Sequence, residues 1–411
     1  MKKVLLLFVV CSIFTSGVFA GGFQINEHGA RAMAMGGAFT GLANDPSAIY
    51  FNPAGITQLS GTRISAGVTL ISPISSFRGP APDITEYSQH SQLFTPFNFY
   101  VTHQFTDDLF VGLGVNNPFG LGTEWDDTWP GRYLAVDTEV RTFFFNPVVA
   151  YKLTEELSIS AGLNFAFGDV KIIRNADLAP FDGEAQVNLS GDATAWGFTA
   201  GIFYKVSDQF SAGVSFRSES TFDFEGTAET EAPSQFSALV PSGDISASLT
   251  TPMNLTAGVA YKPLEYLTIT ADFQYIGWSS YDVLAVDFKD ESQEDLAAVR
   301  DYENTYILRL GGEYILTDAL ALRGGFLFDN NPVKDELVEP TLPDSDRLGF
   351  NIGFGYKLTD NINVDVAYLF LRFNEREITD SQINYTGGEA PFNGVYNSTA
   401  HLFGVNFSYN F

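Results

Sequence analysis

The residues able to do chemistry are few in this 411-residue chain, and they are poorly placed for catalysis. Its four histidines, His28, His90, His103 and His401, stand far apart, with no partner at the spacing of a metal site or a catalytic triad. No G-x-S-x-G element presents a serine as nucleophile. The acidic run from Asp290 to Asp295 has the right atoms for a divalent cation. A hard-ion site needs converging oxygen ligands, however, and a solvated acidic loop is the simpler reading. These residues describe a protein that is not an enzyme and uses neither metal nor cofactor. Arg174 is different. It shares alternation parity with Ser158, Gly162 and Asn164, which puts its guanidinium on the small, polar face of a strand. There it would suit a carboxylate. Arg309, Arg323 and Lys357 share that kind of face with Glu313, Asp329 and Asp365, so pairing within the protein stays open as the role of any of these cations.

A second group of residues offers binding rather than reaction. From Asn44 to Gln58 the chain resists forming a strand, because Pro46 and Pro53 each remove a ladder donor and Asp45 and Asn52 favour turns. Ile49, Tyr50, Phe51 and Ile56 still give the segment apolar surface to bury. Just upstream, Gly29 to Leu42 is rich in Gly, Ala and Met, which suits short, closely packed helical turns. Such a segment ahead of a long run of strands reads as a plug inside a barrel or as an extension packed outside one. The segment alone leaves both open.

Met1 to Ala20 reads as a targeting segment. Lys2 and Lys3 supply its charge, Val4 to Phe14 its apolar run, and Val18-Phe19-Ala20 a cleavage site before Gly21. The chain's single cysteine, Cys11, lies within it, so disulfides and thiolate metal sites are excluded from the mature protein. Lys and Arg number 22 against 49 Asp and Glu, and loss of Lys2 and Lys3 takes the formal charge from −27 to −29. Nucleic acid is excluded as a partner, since phosphate binding needs a basic patch. Yet mean hydropathy is +0.03 and aromatics make up 15%, too apolar for an acidic disordered chain. No mature stretch approaches the roughly 18 apolar residues of a membrane helix. An exported, acidic, aromatic, Gly-rich chain of this kind describes a β-barrel of the Gram-negative outer membrane.

Six similar segments mark the hairpins, with acidic residues Asp107, Glu155, Asp208, Glu265, Asp318 and Asp360 recurring every 42 to 57 residues. Each is a short polar turn between alternating strands, and each interval holds two strands and a longer loop. Short turns then lie on one side and long loops, such as Asn175 to Asp192 and Glu225 to Asp244, on the other. Six hairpins make twelve strands. One more near Thr62 to Ser72 and one at Ser398 to Phe411 give fourteen. Parity agrees: Leu348, Phe350, Ile352, Phe354 and Tyr356 share one face, against Gly349, Asn351, Gly353, Gly355 and Lys357. The expected fold is all-β, a fourteen-stranded antiparallel transmembrane barrel over residues 61–411, with residues 21–60 as an N-terminal hatch.

In order and spacing, several short motifs resemble the FadL-type long-chain fatty acid transporters, which include TodX-like hydrocarbon channels. These are Gly22-Phe-Gln-Ile-Asn-Glu27, Asn52-Pro-Ala54, Gly120-Leu-Gly-Thr-Glu-Trp125, Phe216-Arg-Ser-Glu219, Gly277-Trp-Ser-Ser-Tyr281, Pro343-Asp-Ser-Asp-Arg347 and Leu402-Phe-Gly-Val-Asn406. The resemblance runs through almost all of the mature chain. It implies passive uptake of a hydrophobic solute, which lands among extracellular loops, reaches a pocket against the hatch, and leaves sideways through the wall. It further implies hatch residues Asn52, Pro53 and Ala54, ligand contacts from Phe23, Ile25, Ile49 and Phe51, and an inward kink of the third strand at Pro118, Phe119 and Gly120. Arg174 aligns with a basic residue that meets the ligand carboxylate. Outer-membrane lipid and lipopolysaccharide are the expected surroundings. The last strand, ending in Phe411, is the expected handle for barrel assembly machinery, and the protein is expected to be a monomer. The alternative reading is a general diffusion porin or a surface adhesin.

Overall fold

The structure is a computed structural model that describes residues 21–178, 183–236, 240, 242–383 and 391–411. The expected targeting segment, residues 1–20, lies outside the described residues. Fourteen antiparallel strands close on themselves. In chain order they are Thr62–Arg78, Phe97–Gln104, Leu109–Asn116 continued by Gly120–Glu124, Asp137–Lys152, Leu157–Asp177, Glu184–Lys205 and Phe210–Arg217 continued by Ser220–Glu231. Then come Gly243–Thr251 continued by Asn254–Leu264, Leu267–Ile276, Thr305–Ile315, Leu320–Asp329, Arg347–Lys357, Ile362–Phe373 and Gly394–Asn410. The last strand pairs with the first from Arg63 opposite Asn410 to Arg78 opposite Val395, which leaves no free edge at the closure.

The side chains are arranged inside out relative to a water-soluble protein. Phe350, Ile352, Leu163, Leu310 and Phe407 stand exposed on the outer surface, whereas Asn351, Asn406, Thr270, Asp365 and Arg309 are buried inward. At about 25 cal/mol per Å² of apolar surface, so many exposed Phe, Leu and Ile side chains are tolerable only in lipid. Two expected loops are partly strand: ladders run to Asp177 and restart at Glu184, and run to Glu231 and restart at Gly243. Twenty-one residues, the length of Leu157–Asp177, span about 70 Å at roughly 3.3 Å each, well beyond an apolar band of about 25 Å. Outside the bilayer a strand needs its ladder but not an apolar outer face. The alternation that marks a wall strand therefore fades there while pairing continues.

Residues 21–60 lie within the ring of inward-facing side chains. The segment holds two short helices, Ala30–Ala34 and Ala48–Phe51, and a 3₁₀ run, Pro53–Gln58. Its backbone meets the wall closely at several wall glycines. A Cβ on Gly325 would stand 2.1 Å from the nitrogen of Gly36, and one on Gly311 would stand 2.3 Å from the oxygen of Met35. Polar inward side chains supply the remaining partners. Asp272 accepts from the nitrogens of Phe39 and Thr40 at 3.0 and 2.8 Å, Asn406 accepts from Ala30 at 2.8 Å, and Asn351 donates to the Met33 carbonyl at 2.6 Å. Arg31 joins Glu313 at 2.9 Å, and Glu313 in turn holds Arg323, which reaches Asp365 at 2.6 Å. Lys357 departs from its expected inward role, pairing at the exposed rim with Asp360 at 3.0 Å.

This contact predicts the effect of filling a wall glycine. Gly325→Val favours the strand but occupies the space of Gly36, so the barrel should stay folded and heat-modifiable while the inner segment lifts off. Limited proteolysis should then cut between Gly29 and Gly61 at least ten times faster than in the parent. An unchanged cleavage pattern would show that the segment does not depend on this close approach.

Candidate functional site

The wall is irregular in the third strand. Its ladder with the second strand stops at Asn98 opposite Asn116. Beyond that point the two chains part. Phe94 to Pro96 follow the first strand, with Ile71 and Phe94 exchanging hydrogen bonds, while Asn117 to Phe119 turn inward. Pro118 brings no N–H, so this is the position where a lost ladder bond costs least. The inward turn is stitched on both sides. Asn117 accepts from the Phe97 nitrogen at 2.9 Å and donates to the Thr142 carbonyl at 2.7 Å. The Thr142 hydroxyl donates to the Phe119 carbonyl at 2.6 Å and accepts from its nitrogen at 3.3 Å. The place of the missing neighbour is taken by the start of the inner segment. Ile25 N–H donates to the Pro118 carbonyl at 2.9 Å, and Gly120 N–H donates to the Phe23 carbonyl at 3.1 Å. The strand resumes at Gly120, paired to Arg141.

A cavity of about 550 Å³ fills the divergence, within the range of small-molecule sites. Phe94, Pro96 and Phe97 wall it on one side, Phe119, Gly120 and Leu121 on the other, and Phe23 and Ile25 at the back. A second cavity, of about 100 Å³, lies among Val170, Leu189, Phe224, Leu249 and Leu284, with Arg300, Tyr281 and Tyr302. Phe23, Leu121, Val140 and Leu342 line both. The ring of Phe23 is held edge-on by Trp278 at 4.8 Å, Tyr281 at 5.9 Å and Phe119 at 6.1 Å. Gly22 before it takes φ +67, and a Cβ there would stand 2.5 Å from the Trp278 ring.

The expected site residues fall into four groups. Phe23, Ile25, Phe119 and Gly120 come together at the larger cavity. Ile49 and Phe51 do not reach either apolar cavity; Ile49 packs on Tyr100, Phe110 and Val148 lower in the barrel, and Phe51 on Phe39 and Tyr50. Asn52 ties the inner segment together, with Nδ2 donating to the Thr40 and Ile202 carbonyls and Oδ1 accepting from Ala54, and Pro53 opens the following 3₁₀ run. Arg174 is half-buried, lines neither apolar cavity, and makes no hydrogen bond or ion pair among the described residues. The guanidinium at the smaller cavity is Arg300, paired with Glu339. Local sequence hid Arg300 because it sits in a polar stretch beside Asp301 and Glu303. His28 is structural: burial, reinforced by the nearby Arg217 cation, holds its imidazole down at about 3, and its ring bonds the Ile25 carbonyl at 2.9 Å. No group of three or more His, Cys, Asp or Glu arranged for a metal occurs among the described residues.

A closed barrel with an apolar exterior, an occupied lumen and an apolar cavity at a break in its wall defines a transport barrel of the outer membrane. The chain belongs to the outer membrane protein transport protein family (OMPP1/FadL/TodX), whose profile matches residues 11–411. A long-chain fatty acid transport protein of Salmonella typhi is 25% identical, over 98% of each chain. Outer membrane protein P1 of Haemophilus influenzae is 24% identical, over 99% of this chain and 98% of its own. Among solved structures, a Pseudomonas aeruginosa FadL homologue superposes with a TM-score of 0.86 at 20% identity, covering 95% of this chain and all of that one. The Pseudomonas putida toluene transporter TodX gives 0.77 at 20% identity, covering 95% and 99%.

The Thr142 contacts predict a local effect. Thr142→Val keeps the side-chain shape and removes the hydroxyl from two buried backbone partners. Leaving such groups unpaired costs about 1–3 kcal/mol. Amide exchange at Phe119 and Gly120 should quicken about 5- to 100-fold, with Val111 to Val115 unchanged. Equal protection in both proteins would mean that the inward turn is held from the lumen side alone.

Proposed function

We propose that the protein takes up an apolar solute by passive diffusion, with residues 21–60 as the hatch and the break at Pro118, Phe119 and Gly120 as a sideways exit into the bilayer. The observation that carries this is the cavity in the divergence of the second and third strands, backed by Phe23 and Ile25. An apolar molecule gains by avoiding water throughout its path, and a route from lumen to lipid keeps it out of the periplasm. Because Phe23 lines both cavities, a solute moving from one to the other displaces that ring and the backbone pairing on either side of it. Relatives are named for fatty acid and toluene transport, and for this chain we infer the shared feature, a hydrophobic solute. No catalytic step is proposed. Phe411, which directly follows the closing strand, is the recognition end for barrel assembly in lipid and lipopolysaccharide.

Replacing Pro118-Phe119-Gly120 by Thr-Val-Thr tests the exit. The new residues restore a ladder donor and remove a glycine from a strand, so the barrel should be at least as stable. Uptake of a radiolabelled hydrocarbon or fatty acid by cells should fall at least tenfold. A folded variant with parental uptake would remove the exit from the mechanism. Liposomes carrying the parent protein should not swell in sugars, and swelling at a porin's rate would favour an open pore.

A further inference from the structure

The first residues of the hatch lie against a group of carboxylates that holds more negative charge than its neighbours balance. Asp329, Asp344 and Asp346 are all more than nine-tenths buried. Asp344 accepts from the Gly22 nitrogen at 2.8 Å. Arg347 bonds the Gly22 carbonyl at 3.2 Å and reaches Asp329 Oδ2 at 3.2 Å. Glu27 adds a fourth acid within electrostatic range of Asp329 and Arg347. Two further guanidiniums face the group: Arg376 pairs with Asp335 at 2.7 Å and also donates to the Asp344 carbonyl at 2.7 Å, and Arg309 bonds Gln274 at 2.5 Å, which leaves three cations against the four acids. Among the described residues, the Oδ1 atoms of Asp329 and Asp346 have no hydrogen-bond partner although both are buried. A buried carboxylate oxygen of this kind is costly unless a donor or cation reaches it.

Gly21 lies at the unpartnered oxygen. It is buried, and a Cβ built on it would stand 2.4 Å from Asp329 Oδ1 and 2.8 Å from Oδ2. Since the nitrogen and Cβ of one residue are about 2.5 Å apart, the Gly21 nitrogen is within about 5 Å of that carboxylate. In an unprocessed chain this nitrogen is a neutral amide. Hydrolysis of the Ala20–Gly21 bond leaves a carboxylate on Ala20 and an α-ammonium on Gly21, which brings a unit positive charge and three donors.

We propose that the α-ammonium of Gly21, created by removal of the targeting segment, is the missing cation of this site and pairs with Asp329 beside the Asp344–Gly22 bond. It rests on the reading that cleavage follows Ala20. Processing then does more than release the chain. It supplies the charge that seats Gly21 and Gly22, and through them fixes Phe23 between the two cavities. A side chain at Gly21 would collide with the carboxylate it must approach, so the position suits glycine for reasons of space.

The test uses the mature protein folded in detergent. Intact mass first establishes the N-terminal residue. The rate of reductive methylation of the α-amine is then followed by mass spectrometry from pH 6 to 10, in the parent and in Asp329→Asn. Burial alone lowers an amine's pKa below the ordinary value of about 7.7–8.0, whereas an ion pair raises it. The expected result is an α-amine titrating at least one unit above that range in the parent, and labelling at least tenfold slower at pH 8 than in Asp329→Asn. An α-amine titrating at or below the ordinary range in the folded parent overturns the pairing, and that measurement stands whether or not the variant folds. A mature chain beginning elsewhere than Gly21 overturns the proposal at its first step and leaves the exit reading untouched.

Discussion

Everything in this structure depends on one constraint: within a bilayer, every backbone donor and acceptor has to be paired inside the protein. Barrel closure meets that requirement around the ring, ending with the ladder between the first and last strands. The third strand is where the wall would fail it. Its inward turn leaves the second strand, and the freed groups are taken up by Phe23 and Ile25 on one side and by Asn117 and Thr142 on the other. Phe23 to Ile25 thus serve as a short substitute strand. An opening in the wall and a bound inner segment are, on this account, two aspects of the same set of hydrogen bonds.

That arrangement explains why the lumen is lined as it is. A segment of forty residues must lie against strands whose inward faces would ordinarily carry side chains, and it does so where glycine leaves room, as at Gly311 and Gly325. Between these close approaches the polar residues do the holding, with Asp272, Asn351 and Asn406 each bonding backbone of the inner segment. The ion pairs that run from Arg31 through Glu313 and Arg323 to Asp365 join segment to wall. The two apolar cavities described meet around Phe23 and Leu121.

Much of the wall was legible in the sequence because lipid imposes a simple code. Phe350, Ile352 and Phe354 alternate with Asn351, Gly353 and Gly355, and the exposure of each follows. The code fails where lipid is absent. Strand ends beyond the bilayer near Asp177 and Glu231 looked like loops because no apolar outer face marked them. Within the site, Pro118 and the flanking glycine were readable as a local break in pairing. What was not readable is which distant residues meet there. Ile49 and Phe51 have the right composition for the cavity but lie on the far side of the segment's fold, and Arg300 reaches the smaller cavity from a loop that reads as solvated. Such choices are set by the register of fourteen strands together, which no local window contains.

On the proposed route, the pairing of Phe23 to Ile25 with the third strand has to part for a solute to pass. Gln24 and Phe119 face each other as an antiparallel bridge, and the chain's single cysteine, Cys11, lies outside the described residues. Cysteines at these two positions can therefore lock that contact reversibly with one disulfide. The measurement is hydrocarbon uptake by cells carrying this double variant, oxidised and then reduced. The account predicts uptake near background when oxidised and recovery on reduction, with the barrel folded in both states. Equal uptake in the two states would contradict it.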